Sequence, residues 1–233
     1  MIDTLRLACI DSDAPPLFRL ADADGARHGY EPAAATAVAN ELGLRVQWVV
    51  LAWSDMIPAV QQDRADAVWC GQGITDERRA QVDFTRPYAV FDESVLVPRG
   101  RGWRGPEDLR GRQVAAIDGS ANLALARSFE GAEPVPFDPS SADVFGDMLS
   151  ALRRGEVDAV VDDDVALAPL ADDPAVEVAC TVATRNRWGV GVGKHRPELR
   201  DQLDAALART IADGRLERAW KHWIPDLSFP VAA

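Results

Sequence analysis

The chain is poor in the residues that carry out covalent and metal chemistry. Its three cysteines, Cys9, Cys70 and Cys180, are widely spaced and flanked by apolar residues. They form no CxxC pattern and cannot complete a disulfide set, so buried free thiols are expected. The three histidines, His28, His195 and His222, are equally dispersed and lack metal-ligand spacing, so no metal site is expected. There is no Gly-x-Ser-x-Gly elbow and no phosphate-binding loop, and no cofactor is implied. No stretch of about 18 uncharged apolar residues occurs, which excludes a membrane-spanning helix. Excess basic charge is missing too: a net charge of −12 argues against nucleic acid or an anionic membrane as partner. Met1-Ile2-Asp3-Thr4-Leu5-Arg6 lacks the basic and apolar regions of a signal peptide. That leaves two readings, a cytoplasmic protein or one whose leader has been removed.

What is present is ordinary globular material. The 233 residues, 47% apolar and 27% charged, suffice for one large domain or two modest ones. Leu5–Ile10, Arg45–Val50 and Ala67–Cys70 read as strands. Ala33–Leu42 reads as a helix stopped by Gly43, and Trp53–Val60 as a second, with Ser54 or Asp55 able to cap it. The first 90 residues therefore give β-α-β-α-β, the pattern of a parallel sheet covered by helices. A second series follows, with strands at Glu93–Val97, Gln113–Ile117, Asp158–Val161 and Trp188–Val192. Asp138-Pro139-Ser140-Ser141 is expected to open a helix whose apolar face holds Val144, Met148, Leu149 and Leu152 and which Gly155 stops. A long helix through Leu199 and Ile211 up to Gly214, then a short one over Leu216–Trp223, closes the chain.

The most informative stretch is Gly71-Gln72-Gly73-Ile74-Thr75-Asp76-Glu77-Arg78. The glycines permit positive φ or a close backbone approach, Thr75 is a good N-cap, and two acids suit the first helical turn. Arg78 in that turn opposes the helix dipole, so an anionic partner for its guanidinium is expected. Strand end, glycine turn and arginine together suit a carboxylate; the alternative is a plain strand–turn–helix with a solvated arginine. Asp-Ala-Val at Asp66–Val68 and again at Asp158–Val160 is a weak internal echo, suggesting two lobes built alike. Ligands in open α/β sheets lie beyond the C-terminal strand ends, which is where Gly71–Arg78 and Asp162–Asp164 would fall.

Across nearly its whole length the chain resembles the family-3 extracellular solute-binding proteins, the polar amino-acid receptors of ABC importers. The matching segments, in order, are Leu5–Phe18 with its Pro15-Pro16 turn, Gly29-Tyr30-Glu31, Trp53–Ala59, Asp66–Val68, Gly71–Arg78 and Val82–Tyr88. They continue through Asp108–Gly111, Asp118–Ser120, Gly155–Asp163, Asp213-Gly214, Trp220 and Trp223. The resemblance implies an α/β, two-lobed type-2 periplasmic-binding-protein (Venus-flytrap) fold, each lobe a mainly parallel sheet flanked by helices. Lobe 1 would be residues 1–90 plus 195–233 and lobe 2 residues 91–194. The hinge would lie near Phe91 and Lys194, with the ligand trapped in the cleft between lobes.

It also implies site roles. Arg78 matches the arginine that forks onto a ligand α-carboxylate, and Gly71 and Gly73 belong to the same turn. Gly119, Ser120 and Ala121 open a helix whose amides face that carboxylate, and Asp163 matches the acid that receives the ligand ammonium. Asp162 and Asp164 are left as solvated or capping residues. Asp11 matches a cleft acid, and Trp53 a position that lines the pocket or packs in the core. Tyr30 is a weaker pocket candidate, and Trp69 is read as packing. The departures are Ala14 in place of an aromatic wall, Gly73 in place of a hydroxyl residue, Ala33 in place of an acid, and no cysteines for the family disulfide. The expected function is a monomeric, periplasmic or cell-surface receptor of an amino-acid-like carboxylate, delivering to an ABC permease, with no catalytic residue. The alternative is a cleft enzyme like the cyclohexadienyl dehydratases, with Asp163 or Asp11 as proton donor.

Overall fold

The structure, a computed structural model, describes residues 4–10, 13–141 and 143–231. Along the chain run β1 (Thr4–Cys9), α1 (Tyr30–Glu41), β2 (Arg45–Val50), α2 (Met56–Gln61), β3 (Ala67–Val68), α3 (Asp76–Gln81) and β4 (Val82–Phe84). Next come β5 (Ala89–Pro98), β6 (Gln113–Ile117), α4 (Ala121–Ser128), β7 (Glu133–Phe137), α5 (Val144–Arg154), β8 (Ala159–Asp163) and α6 (Asp164–Leu167). The chain ends with β9 (Val176–Trp188), β10 (Gly191–Gly193), α7 (Pro197–Ala212) and α8 (Arg215–Trp223).

The chain divides into two units, and neither is continuous in sequence. One comprises Met1–Asp11, Pro16–Val90 and Asn186–Ala233; the other comprises Ser12–Pro15 and Phe91–Arg185. Two of the crossings lie inside strands, at Val90/Phe91 in β5 and at Arg185/Asn186 in β9. Lys194, just after β10, lies within the first unit.

The first unit holds a five-stranded sheet in the order β2-β1-β3-β10-β4. β1 pairs in parallel with β2 and β3, and β10 runs antiparallel between β3 and β4. Parallel strands buried on both faces need helical cover. α1, in which Ala34, Ala35, Val38 and Ala39 are buried, packs on β2 and on the C-terminal helices α7 and α8. Gly29, at φ +132°, starts α1 where a Cβ would lie 2.2 Å from the Leu17 carbonyl oxygen, so only glycine fits. The Tyr30 ring meets the buried Trp220 of α8 edge-on at 5.0 Å.

The second unit has its own sheet, β7-β6-β8-β5-β9, with β6 parallel to β7 and β8 and with β5 antiparallel to β8. Its core gathers Val95, Val114, Leu123, Phe129 and Val161. The face of α5 expected to be apolar is buried at Val144, Met148, Leu149 and Leu152, and Gly155 ends the helix in the left-handed conformation.

Several local expectations are corrected. Trp188–Val192 is not one strand: Trp188 ends β9, and β10 begins at Gly191. The break falls at Gly189, where a Cβ would come within 2.8 Å of Ile74. Asp138 does not open α5; its carboxylate accepts from Ser140 N–H and Oγ in a local turn, and Asp143 caps the helix. Neither Ser54 nor Asp55 makes a side-chain cap; a 3-10 turn, Trp53–Asp55, leads into α2 instead. Cys9 and Cys70 are buried thiols as expected, whereas Cys180, on β9, is only half-buried.

Candidate functional site

In the first unit the site is built on the turn that follows β3 and on the start of α3. Gly71 adopts φ +57°. Its N–H donates to Glu31 Oε2 at 3.0 Å and reaches the Tyr88 hydroxyl at 3.2 Å. The Tyr88 hydroxyl donates to the same carboxylate oxygen at 2.9 Å, and the Tyr30 hydroxyl donates to the Tyr88 carbonyl. This network fixes the glycine turn from behind. Glu31 is fully buried, and burial pushes its carboxyl up to about 7 despite the Gly71 and Tyr88 hydrogen bonds.

Arg78 lies in the next turn. Thr75 Oγ1 accepts from the Arg78 N–H at 3.2 Å, the N-cap bond that its residue type predicts. Arg78 is 7% exposed, and its guanidinium donates through one terminal nitrogen to the Gly73 carbonyl at 3.0 Å. With the Gln72 amide assigned by its hydrogen bonds, the Gln72 oxygen accepts from Arg78 Nε at 2.9 Å. The indole of Trp53 covers the guanidinium at 5.5 Å. These three neighbours orient the guanidinium plane. Gly73 is close-packed as well: a Cβ there would meet the Arg78 guanidinium at 3.1 Å. Thus Gly71, Gly73, Arg78 and Trp53 form one group in this unit. Trp69 is fully buried and stacks near the Tyr88 ring at 5.1 Å, as its packing role requires.

In the second unit, Gly119 takes φ +70° and leads from β6 into α4, which starts at Ala121. Ser120 Oγ accepts from the Leu123 N–H at 3.0 Å and so caps α4. One residue into that helix, the buried Asn122 donates from Nδ2 to Asp162 Oδ1 at 3.3 Å. Asp163, half-buried at the end of β8, donates its N–H to the same Asp162 oxygen at 2.7 Å. The Asp163 carboxyl is pushed well above its ordinary range by burial first, then by Asp162 and Glu93. Gly119, Ser120, Ala121 and Asp163 are therefore linked through Asn122.

One expectation changes here. Asp162 is not solvated: it is 7% exposed, and burial and the nearby Glu93 charge push it to about 7. Asp164 does bond locally, accepting from the Val165 and Asp92 N–H groups. Ala14 is buried, and Asp11 lies outside the described residues. Sequence reasoning missed Gln72, Glu31, Tyr88, Asn122 and Glu93. Glu93 carried a signal, as the acid that opens the strand expected over Glu93–Val97. Among the described residues no group of His, Cys, Asp and Glu is placed to hold a metal ion, and no helix is long and apolar enough to cross a membrane.

The chain is 27% identical over 229 residues to a putative ABC transporter arginine-binding protein 2 of Escherichia coli, covering 95% of this chain and 90% of the relative. It is 29% identical over 172 residues to the ABC transporter glutamine-binding protein GlnH of Bacillus subtilis, covering 73% of this chain and 62% of that relative. An ancestral arginine-binding protein bound to arginine matches the structure with a TM-score of 0.84 at 29% identity, over 95% of this chain and 98% of that one. The two helix-flanked sheets thus have the two-lobed periplasmic-binding-protein fold. Residues 7–226 match the family model for bacterial extracellular solute-binding proteins, family 3, and the chain belongs to that family.

Proposed function

We propose that this protein is the extracytoplasmic receptor of an ABC importer and captures an amino acid or amino-acid-like carboxylate for a membrane permease. The observation that carries the reading is Arg78. Its guanidinium is buried yet positioned by neutral acceptors, Gly73 O and Gln72 Oε1, beneath the Trp53 ring. A planar donor fork held in that way suits a carboxylate. The Gly119-Ser120-Ala121 turn contributes amides at the start of α4. Asp163 supplies the acceptor for the ligand ammonium. Gly71 shapes the turn that carries Arg78, Trp53 covers the ligand stem, and the buried Ala14 leaves no aromatic wall. Arg78 belongs to one unit and Asp163 to the other. The relatives named for arginine and glutamine support the ligand class.

The test is calorimetric titration of the purified protein with a panel of L-amino acids. Arg78→Ala is expected to weaken the ligand found by about 100-fold or more, and Arg78→Lys to recover only part of that loss. The circular dichroism melt should stay cooperative in both variants. Unchanged affinity in Arg78→Ala sinks the assigned site. Turnover of prephenate or arogenate by the wild-type protein would replace the receptor reading with the dehydratase one.

A further inference from the structure

The turn that carries Arg78 is pinned by its backbone to the end of β9. The Gly189 N–H donates to the Gln72 carbonyl at 3.1 Å, and the Ile74 N–H donates to the Arg187 carbonyl at 2.8 Å. Between those bonds Gly73 forms an antiparallel bridge with Trp188. All of these residues belong to the first unit. The pairing fixes the main chain from which the Gln72 side chain departs, and that side chain is buried, at 2% exposure. Its amide oxygen accepts from Arg78 Nε at 2.9 Å and from one terminal nitrogen at 3.0 Å. The Gly73 carbonyl accepts from the same terminal nitrogen, and a Cβ on Gly73 would lie 3.1 Å from it. The guanidinium therefore has a set plane and little room to shift toward the turn.

The residue type at position 72 is the informative choice. A guanidinium is bound more strongly by a carboxylate than by an amide, because hydrogen bonds between ions are roughly twice as strong as neutral ones. Glutamate has the length and shape of glutamine, so an acid fits the same space. It would hold the ligand-free guanidinium more firmly than the amide does. It would also compete with an incoming carboxylate for the same positive group. An arginine with a purely structural role gains from the acid, whereas a carboxylate-gripping arginine is weakened by it. The amide at 72 is the arrangement that suits the second role, with the fork oriented in advance by a neutral oxygen on a rigid turn.

We propose that Gln72 is a positioning residue that sets the preference of the Arg78 site for a carboxylate over a neutral group. The inference rests on the receptor reading above and adds to it the residue that decides what Arg78 can grip. Because Arg187 and Gly189 hold the turn through its main chain, exchanging the Gln72 side chain alters the amide and leaves those backbone bonds in place.

Calorimetric titration of wild type with the proteinogenic L-amino acids supplies the probe, which is the tightest binder. Its α-carboxamide is the matched neutral control. Wild type is expected to bind the acid about 30-fold or more tightly than the amide. In Gln72→Glu the acid should weaken by about 30-fold or more and the amide by less than about threefold, so that the preference disappears. The ligand-free melting temperature of that variant should equal or exceed the wild-type value, because the introduced carboxylate pairs with Arg78. Affinity and stability then move in opposite directions, which damaged packing would not produce. Gln72→Met keeps the length and neutrality but removes the amide oxygen; it should weaken the acid by about 10-fold and keep a preference for it. A preference of wild-type size in folded Gln72→Glu overturns the proposal, and so does unchanged acid affinity in folded Gln72→Met. If Gln72→Glu does not melt cooperatively, Gln72→Met decides alone. Arg78→Ala is titrated alongside. Preference lost there but kept in the Gln72 variants overturns the role of Gln72 alone, whereas preference kept in Arg78→Ala overturns the carboxylate site itself. If no amino acid binds wild type, the receptor reading fails and takes the inference with it.

Discussion

Glu31 shows how one buried side chain can shape both a site and a stability profile. Its Oε2 accepts from the Gly71 N–H and the Tyr88 hydroxyl, while Oε1 is buried with no hydrogen-bond partner. The carboxyl is raised from 4.5 to about 7, chiefly by burial. The neutral form is thus the one folding favours, and its stabilising contribution is full below the unfolded value of about 4.5 and is lost as pH rises through 7. The shift corresponds to roughly 3 kcal/mol between the two ends of that window. Asp162, raised from 3.8 to about 7, acts with the same sign. Ligand-free protein is therefore expected to melt at lower temperature at pH 8.5 than at pH 5. Glu31→Gln cannot ionise and should flatten that dependence, with the difference between the two profiles growing from about pH 4.5 to about 7 and levelling off above that. Parallel profiles for wild type and variant would show that the Glu31 carboxyl titrates alike in the folded and unfolded states. Little of this was legible in the sequence. Gly71, Thr75 and Arg78 announce themselves because their chemistry is local to eight residues. Glu31 and Tyr88 reach Gly71 from 40 and 17 positions away, a meeting that only the folded sheet creates. Asp162 misled for a related reason. An acidic triplet at a strand end reads as solvated until α4 brings Asn122 onto it.

Element ends follow the same division between local and assembled causes. Gly155 stops α5 at φ +72°, with its N–H bonded back to Ala151 and Leu152 carbonyls, and a Cβ there would meet nothing within 4 Å. The cost of Gly155→Ala is then conformational alone, about 1 kcal/mol, and Gly155→Asn should cost less because asparagine tolerates the left-handed region. Gly29 is the contrast, since it combines φ +132° with a Cβ position 2.2 Å from the Leu17 carbonyl oxygen. Gly29→Ala must displace backbone and should cost several times more than Gly155→Ala in a urea denaturation series. Similar losses at both positions would mean that the Leu17 segment yields easily. The helix stop at Gly155 could be read from sequence because positive φ selects glycine. The break between β9 and β10 could not, because it arises from the packing of Gly189 against Ile74 and Phe84, which are distant in sequence.

At the scale of the whole molecule, each unit has its own sheet and core, and the chain passes between units inside β5 and β9. Units of this kind can unfold with separate midpoints, because each buries apolar surface independently. Arg78 lies in one unit and Asp163 in the other. A ligand whose affinity depends on both residues stabilises both units. At a free concentration 100 times its Kd it should add about 2.7 kcal/mol. Urea unfolding followed by tryptophan fluorescence and by far-ultraviolet circular dichroism is the measurement. Trp53, Trp69, Trp188 and Trp220 all belong to the first unit, so fluorescence from these residues weights that unit, while circular dichroism reports both. Without ligand the two probes are expected to give separated midpoints, and with saturating ligand one coincident midpoint at higher urea. Arg78→Ala, altered in the first unit, should abolish the ligand-induced shift seen by both probes, and so should Asp163→Asn, altered in the second. A ligand that moves only the fluorescence midpoint would confine binding to the first unit and remove Asp163 from the site.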